Sequence, residues 1–204
     1  MTPIILHQPG RPPTAAPQPT PQTVYLSFSA EINVNTTETL IAAVSNIVNQ
    51  GVRDVHLLMS SPGGMVMCGL NLYNTLRGLP IHLTTHNVGN MDSIGNTVFL
   101  AGETRYACPH STFMFHGVAF PALAGQQFDE KTLLERLGSI KADQKRIGSI
   151  IKERTRLDES AIAGLFLEAQ TKDAGFALTY GIIHEIREVQ IPAGCPVVPL
   201  VFQR

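Results

Sequence analysis

Two glycine-bearing turns and one histidine carry the residue types that acyl-transfer chemistry needs. The first turn, SSPGG, runs from Ser60 to Gly64 and follows the apolar run VHLLM. The second, GNMDSIG, runs from Gly89 to Gly95 and follows the run IHLTT by a few residues. The histidine, His116, ends TFMFH and precedes Gly117. A serine at the start of a helix lies beside backbone N–H groups that have no intrahelical acceptor, at the positive end of the helix dipole. Such groups stabilise an oxyanion next to a nucleophile. Gly64 lets a backbone N–H approach a carbonyl with no side chain in the way. Ser93 has this setting, although its local sequence alone reads more readily as a helix cap. His116, at the end of an otherwise apolar strand, is placed to act as its base. His7 lies in the proline-rich start and His56 inside a buried strand, while His82, His86, His110 and His184 have no comparable setting.

The elements that must position these residues follow from periodicity. Residues 1–22 hold seven prolines among Gln, Thr and Ala, so this stretch is expected to be a disordered or extended tail. Residues 23–204 are expected to form one domain. VYLSF reads as a strand from Val24. NVNTTETL offers a helix start with Asn35 as N-cap and Glu38 three residues on. Leu40, Val44, Ile47 and Val48 then mark one helical face up to Gly51. VHLLM reads as a strand buried on both faces. A helix over Met65 to about Leu76, the strand IHLTT and a helix from near Ser93 come next. TRYAC and TFMFH are then strands. A long helix is expected from Asp129 to about Arg154, with Leu133, Leu137, Ile140, Ile147 and Ile151 on its apolar face. A shorter helix covers Glu159 to Glu168, Asp173 caps a last one that ends at Gly181, and IIHEI closes the core. The alternation implies α/β layers on a largely parallel sheet, with ligands at the carboxyl ends of its strands, where both turns lie.

Composition bounds the function. The chain has 204 residues, 44% hydrophobic and 15% charged, with a formal net charge of -1, which fits one soluble domain. No basic excess points to nucleic acid or to an anionic membrane. Cys68, Cys108 and Cys195 lack metal-ligand spacing and fit a reducing compartment. No apolar run approaches the ~20 residues of a membrane span, and the start MTPIILHQPGRPP has no charged segment leading an apolar one, so a cytoplasmic location is expected. No cofactor or metal is expected.

The ordered set SSPGG, GNMDSIG and FMFHG resembles the proteolytic subunit of the Clp protease (ClpP), within the ClpP/crotonase superfamily. The resemblance covers about residues 24–188, and TYGIIHEI looks like that family's closing segment. It implies an α/β, ClpP/crotonase-like fold of repeated β-β-α units with a long handle helix, here the helix from Asp129. It implies a serine peptidase with Ser93 as nucleophile, His116 as base, and the backbone N–H groups of Gly64 and Ile94 as oxyanion donors. It also implies a peptide or unfolded-protein substrate bound by β-addition to a strand after His116, and a homo-oligomer of heptameric rings that stack into a tetradecamer. A hexameric AAA+ unfoldase is the family's ATP-driven partner. In this sequence the proline-rich tail stands where the family carries the loop that engages it, and no Walker A motif is present.

The family's third triad member is an aspartate, and its place falls on Ala169. Glu168, one residue away, is the expected substitute. Asp173, a Ser–His dyad, an inactive site, and a Ser–Lys dyad through Lys141 or Lys145 are the alternatives. Two other functions share the architecture: a crotonase-type enzyme acting on acyl-CoA, and a catalytically inactive ring subunit.

Overall fold

The computed structural model describes residues 23–121 and 125–202. The expected tail at residues 1–22 lies outside the described residues. The chain alternates strand and helix as expected: β1 (Thr23–Ser29), α1 (Val34–Asn49), β2 (Asp54–Ser61), α2 (Val66–Gly78), β3 (His82–Asp92) and α3 (Ile94–Phe99). Next come β4 (Thr104–Ala107), β5 (Thr112–Met114), α4 (Glu130–Arg154) and α5 (Glu159–Glu168). The remainder is β6 (Thr171–Asp173), α6 (Ala174–Thr179), β7 (Glu185–Ile186) and β8 (Val197–Pro199).

The sheet runs β6-β5-β3-β2-β1-β8, with β4 and β7 branching from β3. Each pairing is parallel except β5 with β6. β3 is the hinge of this layout. Its first half pairs with β4 from Thr84 to Asn87, and its last three residues pair with β5 from Asn90 to Asp92. The sheet therefore splits beside Ser93, and the carboxyl ends of β2, β3 and β5 converge there.

One face of the sheet carries the core. Val24, Leu26 and Phe28 of β1, Val55, Leu57 and Met59 of β2, and Leu83 of β3 are buried against α1, α2 and α3. In the run VHLLM of β2, Val55, Leu57, Leu58 and Met59 are buried, Leu58 on the second face, and His56 alone is only partly covered. α1 starts two residues earlier than its capping pattern suggested. Asn33 is the N-cap: its side chain accepts from Thr36 N, and Thr36 Oγ1 accepts from Asn33 N. Thr36 thus supplies the return bond of the capping box, in place of Glu38.

The N-terminal part of the apolar stripe on α4 finds no core. Ile147 and Ile151 are buried, whereas Leu133, Leu134 and Leu137 are exposed at 49%, 60% and 46%.

The opposite sheet face holds a histidine pair. His56 Nδ1 and His86 Nε2 lie 3.1 Å apart, and Tyr25 stacks on His56. His86 is 4% exposed, and burial, with smaller contributions from His56 and Arg187, lowers its pKa to about 4. The unfolded chain therefore takes up a proton near pH 6.5 that the fold refuses until about pH 4. Stability due to neutral His86 is complete above that range and is lost as pH falls through it. Between pH 7 and pH 4 the wild type should lose up to about 3 kcal/mol more than His86→Leu, read from urea midpoints across that range. Parallel pH profiles for the two proteins would contradict this.

Candidate active site

Ser93 follows β3 directly, with φ 55° and ψ −130°, a conformation that residues other than glycine rarely adopt. The turn is held on both sides. Ser93 N donates to Met114 O at 2.8 Å. The Asn96 amide donates to Met114 O at 2.8 Å and to Ser93 O at 3.2 Å. The Ser93 side chain makes no capping bond to α3, so the structure does not support the helix-cap reading. Ser93 lines a cavity instead.

The SSPGG turn closes against this serine. Gly63 has φ 89°, and a Cβ there would lie 2.6 Å from Ser93 Cβ and 2.8 Å from Asp92 O. Only glycine fits. The turn is pinned by Ile32, whose N donates to Gly63 O and whose O accepts from Met65 N. In this parallel bridge Gly64 faces its own N–H away from Ile32, and it lines the cavity. A Cβ on Gly64 would collide with Ile32 O. Ile94 opens α3, so its N–H has no intrahelical acceptor.

His116 lies two residues beyond β5 and is partly buried. Its Nδ1 is 2.7 Å from Gly117 O. A carbonyl only accepts, so Nδ1 carries the proton, and the neutral ring has its lone pair on Nε2. That is the tautomer a general base requires.

One cavity of about 100 Å3 brings these groups together: Gly64, Ser93, Ile94 and His116 line it, with Val66, Phe115, Ile147 and Phe166 as its apolar wall. The expected nucleophile, base and both oxyanion donors therefore meet in one place. The expected acid does not join them. The Glu168 carboxylate, at the C-terminal end of α5, pairs with Lys172 Nζ at 3.1 Å and is not among the residues that line the cavity. Asp173 Oδ1 accepts from Phe176 N and caps α6. Ala169 is the left-handed C-cap of α5, with φ 51°. Lys141 and Lys145 are not among the residues that line the cavity. The strand expected after His116 is also missing among the described residues, since 117–121 has no strand conformation.

Two contributors escaped the sequence reading. Gly63 was overshadowed by its neighbour Gly64, although the contact with Ser93 belongs to Gly63. Asn96 is 1% exposed and ties the serine turn to β5. A polar residue inside the apolar segment IGNTVFL was the available signal. Gly63→Ala should displace Ser93 and lower kcat by about 100-fold, because small misplacements of a nucleophile cost that much. A kcat for the variant within threefold of wild type, roughly 0.6 kcal/mol, would contradict the contact's role.

The chain belongs to the Clp protease family: the model of that family, described as "Clp protease", matches residues 22–190. Among curated proteins, the ATP-dependent Clp protease proteolytic subunit 2 of Chlamydia trachomatis is 27% identical over 164 residues, covering 76% of each chain. Subunit 1 of Chlamydia felis is equally similar, also at 27% over 164 residues. Among solved structures, a ClpP1 mutant from Listeria monocytogenes superposes with a TM-score of 0.70 at 21% identity, covering 83% of this chain and 92% of that one. This likeness shows the α/β fold expected of a ClpP-like chain. No described helix is long and apolar enough to cross a membrane.

Proposed function

We propose that this chain is a serine-type peptidase that hydrolyses peptide bonds through an acyl-enzyme. The observation that carries the reading is the strained serine turn, whose uncapped hydroxyl shares one small cavity with His116. Such strain persists only where the surrounding structure enforces it, and it exposes the nucleophile. Ser93 Oγ attacks the scissile carbonyl as His116 Nε2 takes its proton. Gly64 N–H and Ile94 N–H receive the developing oxyanion. The C–N bond then breaks, and His116 returns the proton to the leaving amine. Water, activated by the same imidazole, releases the acid. The apolar wall of Val66, Ile94, Phe115, Ile147 and Phe166 suits a small or medium apolar side chain next to the scissile bond.

The reading extends to assembly. The uncovered Leu133, Leu134 and Leu137 of α4 support packing against another copy, as in stacked rings. A homo-oligomeric chamber, heptameric in each ring, would confine peptide or unfolded-protein substrate. Any ATP use would come from an AAA+ partner. The proposed location is cytoplasmic.

Purified full-length protein should cleave short fluorogenic peptides with an apolar residue before the cut. Its melting temperature should not move with acyl-CoA. No turnover combined with clear stabilisation by acyl-CoA would favour the crotonase-type reading. No turnover and no shift would favour an inactive ring subunit.

A further inference from the structure

The environment of His116 holds a feature that a carboxylate triad does not explain. Its Nδ1–H is already bonded, at 2.7 Å, to the carbonyl of Gly117. The residue that carries this carbonyl is tied to α5. Gly117 N donates to Phe166 O of α5 at 2.9 Å. The Gln144 Nε2 of α4 lies 2.6 Å from where a Cβ on Gly117 would be, so a side chain there would push that amide aside. The nearby acids are engaged elsewhere: Glu168 with Lys172, and Asp173 with the start of α6.

We infer that the carbonyl of Gly117, a residue tied to α5 through its N–H, is the positioning group that sets the tautomer of His116, so that the site works as a Ser93–His116 dyad with a main-chain acceptor where a carboxylate would stand. The inference rests on the peptidase reading and deepens it. The carbonyl does the first of the two tasks of a triad acid: it keeps the proton on Nδ1 and the lone pair on Nε2. It does the second only in part. When Nε2 takes the Ser93 proton, the imidazolium keeps its bond to a neutral dipole and gains no ion pair, and hydrogen bonds between two ions are the stronger kind. The proton balance is complete without a carboxylate. The Ser93 proton moves to Nε2 and then to the leaving amine, while the Nδ1 proton stays in place throughout. Histidine in water prefers the opposite tautomer, with Nε2–H, so the arrangement has its own spectroscopic signature.

The test uses full-length protein labelled with 15N in its histidines, at mildly alkaline pH, with the His116 signals assigned by their loss in His116→Gln. The expected result is a protonated Nδ1 and an unprotonated Nε2 in wild type, Glu168→Gln and Asp173→Asn alike. In the same two variants kcat/KM should stay within about twofold of wild type, since asparagine also caps a helix. An Nε2–H tautomer in wild type would overturn the inference. So would loss of the Nδ1–H form, or a drop in kcat of about tenfold or more, in either variant, because a carboxylate would then be the orienting group. If wild type cleaves no peptide while the Nδ1–H signature persists, the peptidase reading fails and the positioning of His116 stands.

Discussion

Ser93→Gly is expected to abolish peptide hydrolysis while stabilising the fold by about 1 kcal/mol. Both effects come from one residue in one conformation. The backbone at Ser93 has φ 55°, which a side chain opposes and glycine accepts. Strain of this kind costs on the order of 1–3 kcal/mol, and glycine's larger unfolded-state entropy offsets part of the relief. Loss of the hydroxyl removes the nucleophile, so kcat should fall at least about 1000-fold, leaving what the oxyanion donors alone supply. Ser93→Ala should lose the same activity without the gain in stability. Urea midpoints and peptide turnover on the three proteins check this. A destabilised Ser93→Gly would show that the turn is unstrained, and a retained rate would remove Ser93 from the chemistry.

The largest effect on stability is expected at Arg105. This side chain is 4% exposed, and the acceptors it is seen to use are main-chain carbonyls: Ile182 at 2.7 Å, Arg154 at 2.9 Å, Gly102 at 3.0 Å and Gly181 at 3.1 Å. Burial, and next the charge of Arg154, lower its pKa to about 10, so it remains a cation at neutral pH. It joins β4, the end of α4 and the segment before β7. Three of these sites are chain turns whose carbonyls no helix or strand partner would otherwise satisfy. Arg105→Ala strands the carbonyls of Ile182, Gly181 and Arg154, while Gly102 O keeps a bond from Arg154, and it should cost at least about 3 kcal/mol. For a chain of this length that corresponds to a fall of about 6–12 °C in Tm. Arg105→Lys should recover part of the loss, since an ammonium group has fewer donors and no fork. A calorimetric change below about 1 kcal/mol for Arg105→Ala would contradict this role.

Much of the site was legible because its parts are local. A serine between two glycines after a strand, a histidine at a strand end and a PGG turn are each short-range patterns. The parallel sheet followed from strand and helix periods. What escaped depends on residues far apart in the chain. The cap of α1 moved to Asn33 because Asn33-x-x-Thr36 and Asn35-x-x-Glu38 are similar capping patterns, and packing of the first turn chose between them. The stripe on α4 is apolar along its length, yet Leu133 and Leu137 are exposed. Periodicity reports that a face is apolar and says nothing about whether the same chain covers it. Glu168 was favoured for its nearness in sequence to Ala169, but a helix end that turns left-handed at Ala169 directs Glu168 to Lys172. The carbonyl beside His116 carries no side-chain signature, so sequence could not mark it.

The central claim is that Ser93 is a nucleophile activated by His116, and covalent capture tests it most directly. Full-length protein treated with a fluorophosphonate should gain one adduct, mapped to Ser93 by peptide mass spectrometry. The adduct should be absent from Ser93→Ala and should form much more slowly in His116→Ala. Labelling that persists unchanged in Ser93→Ala, or an adduct mapped to another residue, would contradict the account.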